Sequence, residues 1–129
     1  MINTDRDRLA RTLNFRVAVQ REDFAEVLAR ADEPFLNGVN IAHGGFLFAL
    51  CDYASALASN TETRAAKTSA SSIDFIEPVL PGAELLAVAE LSASTPKTGV
   101  YRVYITDAQT RAKRFAVFNT RVVYKPAGA

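Results

Sequence analysis

Residues 43–60 read HGGFLFALCDYASALASN and predict the central element of the structure. After two opening glycines the segment has no proline and is rich in alanine and leucine, which favours a helix of about five turns. Six consecutive apolar residues, Phe46 to Cys51, put apolar side chains on every face of the first turns. A helix that is apolar all round is normally buried. We therefore expect a central helix over about residues 43–60, with the rest of the chain folded around it.

The chain after this helix has the pattern of β-strands. Strands are predicted for four runs joined by short turns, at residues 66–75, 84–94, 100–106 and 112–124. From Tyr101 onward apolar and polar residues alternate, the period of two that indicates a half-buried strand. In the last run we expect Phe115, Val117 and Val123 to share one face. Short connections between consecutive strands favour an antiparallel sheet.

The segment before the central helix holds three further predicted elements. Thr4 can cap a short N-terminal helix over about residues 4–13. Residues 15–31 read as one or two strands, and residues 32–40, with a proline, a glycine and two asparagines, read as a long loop. Together these elements predict an α+β fold in which residues 1–129 form a single domain, with a curved antiparallel sheet wrapped around one long helix.

Composition excludes several classes of function. With 15 basic and 14 acidic residues the net charge is +1, which gives no electrostatic footprint for nucleic acid or an anionic membrane. One cysteine cannot form an internal disulfide, and one histidine cannot build a histidine-rich metal site. The N-terminal segment does not read as a signal peptide, and the longest apolar run ends at Asp52, too short to cross a bilayer. We expect a cytoplasmic protein with no metal.

Asp52 is the anomaly in the predicted buried helix. The residues three and four positions away carry no basic side chain, so no helical neighbour can pair with it. Burial of an unpaired carboxylate is costly and raises its pKa, which makes Asp52 a candidate base or nucleophile. The alternative is structural: Asp52 pairs with an arginine of the sheet, such as Arg102 or Arg121, or faces solvent.

The start of the same helix is a candidate oxyanion site. At His43-Gly44-Gly45 two glycines leave backbone N–H groups uncovered at the positive end of the helix dipole. Two glycines also serve close packing, and His43 could be a helix cap or a site residue. Asp52 lies eight residues beyond Gly44, about 12 Å along the helix axis. If both take part, Asp52 must come from a second copy of the chain, as a two-fold dimer would supply.

These segments resemble one known family. The segments that carry the likeness are Leu36-Asn37-Gly38, the run from His43 to Asp52, Asn60, and residues 72–78 and 81–85. They closely resemble the hotdog-fold acyl-CoA thioesterases of the phenylacetate-degradation (PaaI) type, over about residues 13–124. The resemblance implies a helix wrapped by a five- or six-stranded antiparallel sheet. It also implies homodimers with composite active sites, often paired into homotetramers.

The resemblance also implies roles for residues. Asp52 would be the catalytic carboxylate, and the Gly44 N–H would polarise the thioester carbonyl. Asn37 would orient water or the substrate across the subunit interface, and His43 would support the loop and contact the reacting region as a fourth catalytic position. Substrate-binding positions would be Gly45, Phe46 and Asn60.

The implied substrate is an acyl-CoA thioester, aryl- or phenylacetyl-CoA-like. Coenzyme A is then part of the substrate, and no cofactor is expected. In a related lineage of 4-hydroxybenzoyl-CoA thioesterases the acid is Glu and a Thr follows one helical turn later. Here that position is Ala56, so no hydroxyl assists the attacking water there.

Two other functions stay open on sequence grounds. A hotdog hydratase or dehydratase would need a site histidine as its acid and base, and the only histidine stands at the helix start. A non-catalytic acyl-CoA-binding module would give no reason to keep an unpaired acid in the helix. Cys51 as nucleophile is disfavoured because it lies eight residues from His43, about 12 Å away in the same helix.

Overall fold

The computed structural model describes residues 6–128 and has the predicted architecture. One long helix and a curved, six-stranded antiparallel sheet form the hotdog fold. The helices are α1 (Arg8–Thr12) and α2 (Gly44–Ser59), with a 3-10 turn at Glu33–Phe35. The strands are β1 (Arg16–Arg21), β2 (Phe24–Arg30), β3 (Arg64–Phe75), β4 (Glu84–Ser94), β5 (Thr98–Asp107) and β6 (Arg114–Pro126).

Local capping fixes both ends of α2. His43 is the N-cap residue in an extended conformation, and Asn60 is the C-cap residue. The helix therefore spans the predicted residues to within one position at each end. Helix α1 is shorter than predicted: it is capped by Asp7, whose carboxylate accepts from the Ala10 N–H, and Thr4 lies outside the described residues.

The strands are ordered β1-β2-β4-β5-β6-β3, and every neighbouring pair is antiparallel. The segment predicted as one or two strands forms two, joined by a turn in which Asp23 has a positive φ of 63°. Strands β1 and β3 are the two edges of the sheet. Strand β3 therefore presents one side of its backbone without a strand partner among the described residues.

The concave face of the sheet packs on α2. In β5 the predicted inward residues Tyr101, Val103 and Ile105 are fully buried. In β6 the predicted face is wrong, because Val117 and Val123 are only half-buried. The buried positions of this strand are Phe115, Ala116, Phe118, Thr120, Val122 and Tyr124. The β5–β6 register shifts at Phe115, which buries two consecutive residues and moves the alternation by one position.

Helix α2 is not covered on every side, which corrects the expectation of complete wrapping. Five positions spaced three and four residues apart remain half-buried or exposed; we call this the uncovered stripe, and it consists of Gly45, Phe48, Ala49, Asp52 and Ala56. Phe48 keeps 38% of its surface exposed. A large apolar side chain exposed on the central helix marks a face suited to contact with another molecule.

Candidate active site

The two glycines at the start of α2 differ in their hydrogen bonding. The Nδ1 atom of His43 accepts from the Gly45 N–H at 2.8 Å, so the imidazole caps the helix and carries its proton on Nε2. The His43 carbonyl accepts the N–H groups of Phe46 and Leu47. Among the described residues the Gly44 N–H has no acceptor. Gly44 thus presents a free donor at the positive end of the helix.

This free donor borders a cavity of about 300 Å³, which we call the first cavity. Its lining consists of Asn37, Ile41, Ala42, Gly44, Leu47, Phe75, Ile76, Glu77, Pro78 and Val79. The Phe75 ring lies against Gly44, and a Cβ atom built on that glycine would come 3.1 Å from Phe75 Cζ. A glycine here lets both the aromatic ring and a ligand approach the helix backbone closely.

Asn37 belongs to the same cavity and holds the loop that forms its wall. Its side-chain oxygen accepts the N–H groups of Val39 at 3.0 Å and Ile41 at 3.3 Å. Its side-chain amide has no acceptor among the described residues. The loop is tied to the helix start because the His43 N–H donates to the Phe35 carbonyl at 2.8 Å. Asn37 therefore combines a structural oxygen with an available donor.

Asp52 is half-buried on the uncovered stripe, and no hydrogen bond or ion pair joins its carboxylate to any of residues 6–128. Neither arginine considered as a partner reaches it: Arg102 donates to the Tyr104 hydroxyl and Arg121 to the Ser69 hydroxyl. The pKa of Asp52 is raised, first by burial and second by the negative charge of Asp7. This is the environment of a proton acceptor.

Gly44 and Asp52 are not brought together within one chain. They are eight residues apart on α2, about 12 Å along the axis, and Asp52 does not line the first cavity. One chain therefore carries a donor for an oxyanion and a proton acceptor at separate positions along the same helix.

A second cavity, of about 270 Å³, adjoins the helix start on the side of α1. Its lining consists of Leu9, Leu13, Pro34, Phe35, Leu36, His43, Gly45, Phe46 and Ala49. Phe46 is buried and stacks on Phe35 with ring centroids 5.0 Å apart, and it contacts Phe15 at 5.6 Å. Gly45 and Phe46, the two predicted substrate-binding residues near the helix start, thus share one largely apolar cavity.

Asn60 has a structural use at the opposite end of the helix. Its amide donates to the Ala56 carbonyl at 2.9 Å, and its side-chain oxygen accepts the Ala66 N–H at 3.0 Å. These bonds join the end of α2 to the start of β3. Nothing in this geometry favours Asn60 as a substrate-binding residue.

Cys51 is fully buried, and burial raises the pKa of its thiol. A buried, protonated thiol is a poor nucleophile. Among residues 6–128 no three His, Cys, Asp or Glu side chains are grouped so that they could hold a metal ion. No helix in that range is long and apolar enough to cross a membrane.

Sequence reasoning did not identify four residues that contribute to this region. Leu9 of α1 and its C-cap residue Leu13 line the second cavity, Phe75 covers Gly44, and the negative charge of Asp7 raises the pKa of Asp52. Each contribution depends on the packing of distant segments. Only the apolar pair on α1 left a signal, since Leu9 and Leu13 share one helical face.

Comparison with known proteins identifies the class of protein. The family model of the Thioesterase superfamily matches residues 39–113. The acyl-coenzyme A thioesterase PaaI of Escherichia coli K12 is 36% identical over 107 residues, 83% of this chain and 76% of that protein. The chain belongs to the thioesterase superfamily, and the prediction that it is a thioesterase is confirmed.

Solved structures extend this result to the whole fold. The structure of the E. coli PaaI protein from the phenylacetic acid degradation operon has a TM-score of 0.86 and 35% identity, covering 92% of this chain and 85% of that one. Protein smu.793 of Streptococcus mutans UA159, solved bound to acetyl CoA, has a TM-score of 0.81 and 26% identity, covering 88% and 90%. The resemblance to PaaI-type thioesterases is confirmed.

Proposed function

We propose that this thioesterase hydrolyses acyl-CoA thioesters to the free acid and CoA, in sites built from two copies of the chain. The observation that carries the proposal is the pair of unpartnered groups on α2 within the described range: the Gly44 N–H in the first cavity and the Asp52 carboxylate on the uncovered stripe. The PaaI relative and the acetyl CoA-bound structure support an acyl-CoA substrate.

The Gly44 N–H polarises the thioester carbonyl. It is a preorganised donor at a helix N-terminus, where negative charge on a carbonyl oxygen is favoured. The neighbouring Gly45 N–H is engaged by His43, so a single donor is directed to the oxygen. His43 therefore acts by fixing the first turn of the helix.

A two-fold dimer brings the carboxylate to this donor. If two α2 helices pack antiparallel through their uncovered stripes and cross near Phe48, Asp52 of each copy lies beside Gly44 of the other. The exposed Phe48 and the free edge of β3 are the surfaces such a dimer would cover. The dimer provides two equivalent composite sites, and we propose that two dimers associate into a homotetramer.

In the reaction, Asp52 of the partner subunit takes a proton from water, and the water oxygen attacks the thioester carbon. The carbon–sulfur bond then breaks and CoA leaves as a thiolate, which needs no strong acid. The raised pKa of Asp52 suits it to accept the proton. Direct attack by Asp52 through a mixed anhydride is the alternative. The free amide of Asn37 orients the water or the substrate.

The second cavity accepts the acyl group. Its lining is apolar apart from the His43–Gly45 edge, and the stacked rings of Phe35 and Phe46 offer aromatic surface to an aryl group. We therefore propose aryl- or phenylacetyl-CoA-like substrates, with Gly45 and Phe46 in contact with the acyl moiety. A cytoplasmic location fits CoA chemistry and stays a prediction.

The decisive experiment measures thiol release from phenylacetyl-CoA by the wild type and by Asp52→Asn. We expect turnover to fall by about 10²-fold or more, because the proton acceptor is lost while the side-chain shape is kept. Glu22→Gln, which removes an exposed carboxylate in the turn between β1 and β2, is the matched control and should retain activity. Light scattering should give a dimer or tetramer for all three proteins. Equal turnover in the wild type and Asp52→Asn would contradict the role of Asp52 as proton acceptor.

A further inference from the structure

A row of basic side chains begins beside the first cavity. Lys113 places its Nζ atom 3.1 Å from Glu77 Oε2, and Glu77 lines that cavity. The N–H groups of Ile76 and Glu77 both donate to the Phe115 carbonyl, at 2.8 and 3.2 Å. These bonds fix the cavity wall against the beginning of β6. These hydrogen bonds therefore keep Lys113 close to the wall of the first cavity.

The row continues across the outer face of the sheet. The guanidinium carbon of Arg114 lies 4.0 Å from the centroid of the Tyr104 ring, and that of Arg102 lies 5.9 Å away. An Arg102 nitrogen also donates to the Tyr104 hydroxyl at 3.3 Å. Among the described residues neither arginine forms an ion pair with a carboxylate. The tyrosine thus orients two guanidinium groups that have no carboxylate within ion-pair distance, although Glu90 is the cross-strand neighbour of Arg102.

We propose that Lys113, Arg114 and Arg102 bind the phosphate groups in the nucleotide part of coenzyme A. This inference rests on the proposed function, because it uses the thioester position at Gly44. The basic row is a second contact region for the substrate on each subunit. It would make the enzyme prefer CoA thioesters to shorter thioesters that lack the nucleotide.

The spacing fits a substrate that starts at Gly44 and leaves through the first cavity. Phe75 covers Gly44 and pairs with Ala116 across the β3–β6 ladder. Arg114 precedes Ala116 by two residues, about 7 Å along the strand. A pantetheine arm that runs past Phe75 toward Glu77 therefore delivers its terminal phosphates to the basic row.

The negative charges of CoA favour its binding to these basic side chains. The diphosphate and the 3′-phosphate of CoA carry several negative charges, and guanidinium groups bind phosphate through paired hydrogen bonds. Glu77 is the ion-pair partner of Lys113, and both side chains are about half exposed. A surface ion pair of this kind is weak, so a phosphate can replace the carboxylate.

The test compares two thioesters of the same acid, phenylacetyl-CoA and phenylacetyl-N-acetylcysteamine, which lacks all phosphates. The variant is K113Q/R114Q, and the matched control is K97Q/K125Q, which removes two exposed lysines elsewhere. We expect KM for the CoA ester to rise about tenfold in the variant, with kcat within about twofold, since charge-assisted phosphate contacts are lost. Its kcat/KM for the N-acetylcysteamine ester should equal that of the wild type.

Two outcomes overturn the inference: an equal loss on both thioesters, or the same rise of KM in K97Q/K125Q. Calorimetry with adenosine 3′,5′-bisphosphate separates this proposal from the proposed function, because it needs no hydrolysis. We expect the wild type to bind and K113Q/R114Q to bind about tenfold more weakly. If the wild type hydrolyses no thioester, the proposed function fails. Absence of bisphosphate binding to the wild type overturns this inference.

Discussion

The two ends of α2 differ in whether their polar groups have hydrogen-bond partners. At the N-terminal end the Gly44 N–H is without an acceptor among the described residues, and two turns later the Asp52 carboxylate is without a donor. At the C-terminal end Asn60 uses both its amide and its oxygen. Both ends belong to the same helix and are packed by the same sheet, so the difference lies in the side chains around them.

A dense network closes the C-terminal end. Arg64 donates to the Ser59 carbonyl and to Asp23, each at 2.8 Å, and its guanidinium carbon lies 4.2 Å from the centroid of the Tyr124 ring. The Tyr101 hydroxyl donates to the same Asp23 oxygen at 2.6 Å. Every polar group of this cluster has a partner inside the chain.

The comparison distinguishes a structural network from a binding site. Satisfied buried polar groups stabilise the fold, whereas polar groups without a partner in the chain are available to a ligand. Substitutions at the N-terminal end should therefore reduce activity and spare stability. Substitutions at the C-terminal end should do the reverse.

The largest effect should come from Gly44→Pro. Gly44 is the first residue of α2, a position that proline favours, and His43 has the extended conformation required before proline. The substitution removes the N–H group and preserves the helix, so kcat should fall by about 10²- to 10³-fold. Steady-state thiol release measures this. Gly44→Ala adds a Cβ atom beside the same Phe75 ring but keeps the N–H, so it measures the steric part of the loss and should reduce kcat much less than Gly44→Pro.

Mixing two inactive variants sharpens this result. Subunits of Gly44→Pro and Asp52→Asn, refolded together, form mixed dimers in which one of the two sites has both groups intact. Activity should reappear in the mixture and be absent from each parent. Failure to recover any activity, with mixed dimers demonstrated by mass spectrometry, would contradict a site shared between subunits.

At the other end of the helix, Asp23→Asn should reduce stability. Asparagine tolerates the positive φ at this position, but it removes the charge opposite Arg64. Both partners are about a quarter exposed, so we expect the free energy of unfolding to fall by about 2 kcal/mol, measured by urea denaturation. Activity per folded molecule should be unchanged. A loss of kcat without a loss of stability would reverse the assignment of the two ends.

In contrast to Asp23→Asn, Asp52→Asn should lower activity without lowering stability. Burial raises the pKa of Asp52, so its ionised form destabilises the folded state. The stability contributed by this group is complete below its unfolded pKa and is lost as pH rises through its folded pKa. At neutral pH the asparagine variant should therefore unfold at the same urea concentration as the wild type or at a higher one. A lower midpoint would mean that the carboxylate stabilises the fold.

Most of the fold followed from local patterns, and the failure in β6 has a physical cause. The apolar run of α2 and the alternation of β5 are periodicities that a sequence displays directly. In β6 the alternation predicted for Phe115, Val117 and Val123 failed because one residue is inserted into the ladder at Phe115. No particular residue type marks this bulge, so it cannot be recognised from an alternating pattern.

For the site, the individual chemical groups could be predicted from the sequence, but their surroundings in the fold could not. Gly44 and Asp52 were recognisable because a free helix start and an unpaired acid are unusual in a buried helix. The second cavity was not, because it forms where α1 meets the loop before α2. Likewise, nothing in local sequence relates Asp7 to Asp52, 45 positions later.

A smaller effect is expected from His43→Ala. The imidazole accepts the Gly45 N–H, and loss of a helix cap costs about 1 kcal/mol. The melting temperature should fall modestly, and kcat should fall less than in Gly44→Pro, because the Gly44 donor remains. His43→Asn can restore the cap and should recover most of the stability. If His43→Ala abolished turnover at full stability, the histidine would act in the chemistry itself.

The smallest effect concerns the pH dependence of the reaction. Asp7 caps α1 through the Ala10 N–H, and its negative charge raises the pKa of Asp52. Asp7→Asn keeps a capping side chain and removes the charge, so the pKa of Asp52 should fall.

Asp52 must be ionised to accept a proton, so the acid limb of kcat/KM should move to lower pH in Asp7→Asn, while the plateau at higher pH stays where it is. Glu22→Gln, which changes the net charge by the same amount in the turn between β1 and β2, should leave the limb unmoved. The difference between the two variants is diagnostic, because a general loss of negative charge would shift the limb equally in both. A limb that moved upward, or equally in both variants, would show that the titrating group of the reaction is not the carboxylate on the uncovered stripe.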